Sequence, residues 1–69
     1  MNINVTKPEG DIFVIMGRFT NLTEQLEDAG IDTSEHRALL EGYGLLKYDE
    51  ILDKIERITN GTMTFTGRQ

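Results

Sequence analysis

His36 and Ser34 are the only histidine and the only serine in the chain, so they are the first residues to question for nucleophilic or general-base chemistry. They stand two positions apart at a helix start, and helical residues so spaced do not face one another. With Glu35 and Arg37 as neighbours, His36 reads as a solvated histidine. The absence of cysteine removes thiolate catalysis, disulfides and zinc ribbons together. Asp49, Glu50, Asp53 and Glu56 invite comparison with a metal set or an acid–base pair. Two of them, however, have a cation one turn on: Glu50 with Lys54 and Asp53 with Arg57, both in the favourable acid-first order. A hard-cation site also draws ligands from several segments. The run therefore reads as a solvated helix face, and the expectation is a protein that is not an enzyme and carries no cofactor or metal.

Binding is better supplied. Gly17 falls inside a long helical stretch, where glycine costs about 1 kcal/mol relative to alanine. Its missing side chain admits either a neighbouring helix or subunit, or a ligand. Arg18 follows, and its guanidinium fork can hold a phosphate through two hydrogen bonds or simply extend into solvent. Tyr43-Gly44-Leu45-Leu46-Lys47-Tyr48 places two aromatic rings beside a cation. A base stacked on a tyrosine gains about 1–3 kcal/mol, with Lys47 left for its phosphate. Equally, a tyrosine beside a helix start can be plain core with its hydroxyl in water. The Gly10-Asp11 turn is no phosphate cradle, since Asp11 would occupy the helix amides and repel an anion. The candidate ligand contacts are Gly17, Arg18, Tyr43, Lys47 and Tyr48.

The elements that hold these residues follow from periodicity. Asn2-Ile3-Asn4-Val5-Thr6 alternates with period two, which predicts a strand with Ile3 and Val5 on one face. Lys7-Pro8-Glu9-Gly10 is a turn. A helix is predicted over 11–29, capped by Asp11, with Ile12, Ile15, Met16, Phe19, Leu22 and Leu26 as its buried stripe. Phe13 and Val14 lie off that stripe, so the helix start needs cover on two sides. Gly30 is placed to end the helix in a left-handed conformation while Ile31 folds back on Leu26. Asp32 to Glu35 has capping-box form, with Thr33 an alternative cap, ahead of a short helix to Glu41 that buries Ala38, Leu39 and Leu40. Gly42-Tyr43-Gly44 breaks it. The third helix, 49–59, has Tyr48, Ile51, Leu52, Ile55 and Ile58 on one side. After Asn60-Gly61, Thr62-Met63-Thr64-Phe65-Thr66 alternates as a second strand, with Met63 and Phe65 inward and a loose Gly67-Arg68-Gln69 tail. The fold class is α+β: one β-α-α-α-β domain spanning the chain, its terminal strands paired and packed under three helices.

Seven Lys/Arg against twelve Asp/Glu, net −5, is the wrong balance for gripping duplex nucleic acid, which needs a basic footprint. The longest apolar run, 12–16, is far too short to span a bilayer, and 1–8 lacks the apolar stretch of a signal peptide. Without such a peptide the Asn-x-Thr sequons at Asn4, Asn21 and Asn60 read as chance. Sixty-nine residues hide only about 60% of the unfolded chain's surface, and a two-stranded sheet has two unpaired edges. With no disulfide or metal to compensate, a homo-oligomer is expected, joined by strand-to-strand or helix-start contacts.

The block Gly10-Asp11-Ile12-Phe13-Val14-Ile15-Met16-Gly17 resembles a motif of short phage-encoded proteins. In them a helix after an N-terminal strand begins Gly-Asn-Ala-Phe-x-Ile/Leu-Met-Gly. Tyr48-Asp49-Glu50-Ile51-Leu52 is similar to the second half of their Gly-Asp-Tyr-x-x-Leu-Leu stretch, with Lys47 standing where the aspartate would be. The first helix here also runs about one turn longer. The resemblance covers about half the chain. It implies a sponge of the kind some phage proteins of this size form: a homo-oligomer in the host cytoplasm that binds cyclic dinucleotides and silences the CBASS immune signal. The alternative is a small acidic phage interaction module that inhibits a host protein by docking through its acidic face or apolar helix start.

Overall fold

The computed structural model describes residues 1–68. It orders the chain as β1 (Asn2–Asn4), α1 (Ile12–Asp28), α2 (Ser34–Gly42), α3 (Tyr48–Ile58) and β2 (Thr64–Thr66), with 3₁₀ turns at Pro8–Gly10 and Tyr43–Leu45. The expected strand, three helices and strand are all present. The two terminal strands form one sheet, and they run parallel in the register Asn2↔Thr64, Ile3↔Phe65, Asn4↔Thr66. Alternation alone does not fix that orientation; a helical crossover permits it, whereas a tight turn would not. Each strand is three residues, shorter than the five that alternate. β1 stops because Thr6 turns back on it, its amide and hydroxyl both donating to Asn4 Oδ1.

α1 begins as predicted: Asp11 Oδ1 accepts the Phe13 amide at 2.8 Å. It ends with Gly30 at φ +77° and the Ile31 amide donating back to the Leu26 carbonyl at 2.9 Å. Ile15, Met16 and Phe19 are buried, and Thr23 joins them by donating its hydroxyl to the Phe19 carbonyl. Around them close Ile3, Leu39, Ile51, Leu52, Ile55, Met63 and Phe65, with Leu22 and Ile58 partly buried at the margin. Gly10 is needed where the 3₁₀ turn crosses β1, since a Cβ there would fall against the Val5 carbonyl and Cα.

Five local expectations are corrected. Ala38 is exposed and His36 buried, because the inward stripe of α2 is His36, Leu39, Leu40 and Tyr43 at helical spacing. The Asp32–Glu35 capping box does not form; Asp32 Oδ1 instead accepts from Ser34 N and Oγ. Among the described residues the ion pairs predicted along α3 are absent as well. Glu50 accepts the Lys47 amide, while Arg57 reaches across to Glu35 at 3.1 Å. Asp53 pairs with Arg68 at 2.9 Å, so the chain is tethered at this position rather than loose; Gln69 lies outside the described residues. Finally, the outer edges of the sheet are partly covered. The outward amide of Asn4 donates to Glu9 Oε2 at 2.7 Å, and that of Phe65 to Glu56 Oε2 at 3.0 Å.

Candidate functional site

Tyr43 and Tyr48 approach each other from the two ends of one short connection. The 3₁₀ turn that begins at Tyr43 lets the chain leave α2 and enter α3 within a few residues. Both rings then line one shallow groove of about 260 Å³, together with Ile12, Gly44, Leu46 and Ile51. Tyr43 is half-buried against the core. The Tyr48 hydroxyl donates to the Gly10 carbonyl at 2.5 Å, which fixes that ring against the start of α1. Tyr48 is 37% exposed overall, but partial desolvation, with Asp49 alongside, pushes its pKa above the usual phenol value. Lys47, exposed, precedes Tyr48 as the N-cap residue of α3.

Lys47, Gly17 and Arg18 do not line this groove. Gly17 sits on the outward face of α1, with nothing within 4 Å of where a Cβ would stand. Among the described residues no packing neighbour requires a glycine there. Phe13, one turn earlier, is 76% exposed and Val14 is 42% exposed, so the cover the helix start needs is not supplied by the described residues. Arg18 lies toward β1, where its nearest polar contact is Met1 Sδ at 3.9 Å, and among the described residues it has no carboxylate partner.

The residues set aside for catalysis are occupied elsewhere. His36 is not solvated; its ring stacks on Phe19 with centroids 5.5 Å apart, and neither nitrogen has a partner among the described residues. No group of histidines and carboxylates within the described residues is arranged to hold a metal ion. The carboxylates of α3 surround a cation that the sequence did not pair with them: Arg68 lies 2.9 Å from Asp53, 3.7 Å from Asp49 and 4.0 Å from Glu56.

A second groove, about 320 Å³, was not foreseen. It runs between α2 and α3, floored by Leu39, Leu46 and Ile58, with Lys54 and Arg57 at its rim. Leu45 stands at its lip, 93% exposed. The spacing of Lys54 and Arg57, one turn apart beside Ile58, is a readable sign of it, masked in the sequence by the carboxylates one turn before each cation.

Comparison with family models, with curated proteins and with solved structures gives no match. No described helix is long and apolar enough to cross a membrane.

Proposed function

We propose that this chain is a non-catalytic binding protein that sequesters a small nucleotide, a base lying against Tyr43 and Tyr48 and a phosphate meeting Lys47, and that it works as a homo-oligomer. The observation carrying this reading is that the two tyrosines share one apolar groove, with one ring pinned by its hydroxyl. A pinned ring is a stacking platform that loses little freedom when a base settles on it. At about 260 Å³ the groove falls below the 300–1,000 Å³ of a pocket that engulfs a drug-sized ligand. One copy therefore has room for about one base, and a ligand with two bases would bridge two copies. The resemblance to short phage proteins supports a cyclic dinucleotide as that ligand and the host cytoplasm as the place of action. Gly17 and Arg18, on another face, are outside the proposed groove.

The test is a thermal-shift panel of mono-, di- and cyclic oligonucleotides. A ligand at 100 times its Kd adds about 2.7 kcal/mol of stability, a large effect in so small a domain. Lys47→Ala, at an exposed position, should weaken the response about tenfold while leaving the unliganded melting temperature unchanged. A flat panel removes the nucleotide reading. It would favour instead a docking module for a host protein, which the exposed Phe13 and Leu45 also suit.

A further inference from the structure

We infer that the outward face of α1 around Gly17 is the contact between two copies of this chain, packed antiparallel about a two-fold axis. The inference rests on the self-association in the proposed function and names one surface for it, on a face away from the Tyr43–Tyr48 groove. Helix geometry sets Phe13 and Val14 on either side of the line that Gly17 occupies one turn later. Two exposed apolar side chains thus border a notch that is open for lack of a Cβ. In an antiparallel pair centred between residues 13 and 17, Phe13 of each copy meets Gly17 of the other, a knob over a hole, twice by symmetry.

Charge fits the same arrangement. Asp11 and Arg18 are seven residues apart, about two turns, and so project from one edge of the helix. The antiparallel two-fold keeps that edge on the same side in both copies and brings Arg18 of each beside Asp11 of the other. A parallel pair would place the two edges on opposite sides, leaving neither Asp11 nor Arg18 a partner across the contact. Both groups have capacity to spare: Asp11 uses Oδ1 to cap Phe13, and Arg18 has no carboxylate partner among the described residues. The competing strand-to-strand route is narrowed, because Glu9 and Glu56 each occupy an outward amide, of Asn4 on one sheet edge and Phe65 on the other.

A standard interface takes about 800 Å² from each partner, roughly a fifth of the 4429 Å² this protomer exposes. The apolar part is confined to the N-terminal half of the helix, so the dimer expected is micromolar rather than obligate.

Sedimentation without nucleotide tests this. The unaltered protein should dimerise below about 100 µM. Phe13→Glu should weaken association at least tenfold with the helical circular dichroism intact. Gly17→Leu should do the same while raising the melting temperature of the monomer, opposite signs that a merely structural glycine would not give. Since the chain has no cysteine, Val14→Cys, close to the axis, should cross-link under oxidation. A dimer indifferent to Phe13→Glu and Gly17→Leu overturns this interface but leaves self-association standing; a monomer at 100 µM overturns both. The nucleotide panel is read separately from either outcome.

Discussion

At the scale of single residues, Glu27 shows how one side chain can set the angle between two helices. Its carboxylate accepts from Arg37 Nε and Nη2 at 2.7 and 2.6 Å and from Thr33 Oγ1 at 2.7 Å, tying the end of α1 to the start of α2. Those donors, the Arg37 guanidinium foremost, hold its pKa down from 4.5 to about 2. A depressed carboxylate contributes stability that is fully present above the unfolded value and is lost as pH falls through the folded one. Glu27→Gln should therefore be less stable than the unaltered chain at pH 6. Denaturant titrations should show the gap closing between about pH 4.5 and pH 2; a gap that persists at pH 2 would mean the contact acts by shape, not charge. The sequence shows both residues but not their pairing, because they sit ten positions apart across a helix break. His36 is a similar case. Its neighbours in sequence are charged, but its neighbours at helical spacing, Leu39 and Leu40, placed it inward, and the second pattern is the one that packing obeys.

At the scale of elements, the helices were legible because their caps, stripes and glycine stops agree with one another, as at Asp11 and Gly30, whereas the Lys47–Glu50 contact that starts α3 was not. The sheet was legible in existence and in which faces are buried, but not in the treatment of its edges. Glu9 and Glu56 belong to a turn and a helix, and nothing in a strand pattern indicates that carboxylates from elsewhere will serve its outward amides. Glu56→Ala should remove the partner of the Phe65 amide and one of the carboxylates around Arg68, costing about 1–2 kcal/mol in urea unfolding. It should also raise concentration-dependent association through the uncovered edge, seen as light scattering that the unaltered chain lacks. An unchanged midpoint would show that water replaces the carboxylate without loss. The candidate groove was half legible: Tyr43 and Tyr48 are adjacent enough in sequence to be paired by eye. That Gly17 and Arg18 belong to another face follows only from the three-dimensional rotation of α1 against the core.

At the scale of the whole molecule, the two strands that complete the domain lie 62 residues apart in sequence, while the helical contacts between them are mostly local. Closing so long a loop costs entropy before any strand pairing repays it, so the sheet should form late in folding. Ile3→Val, at a buried position of β1, should destabilise by about 0.5–1.5 kcal/mol, and the loss should appear mainly as faster unfolding in a chevron plot. A slowed folding limb would place the strands in the nucleus instead. The same span bears on how the chain behaves while it is being synthesised. Until Thr66 has been added and released, β1 has no partner for its inward-facing amides, and Ile3 has no Phe65 beside it. A nascent or clipped polypeptide lacking its final strand would be a set of three helices trailing a sticky apolar thread, the form in which proteases and chaperones would meet it first.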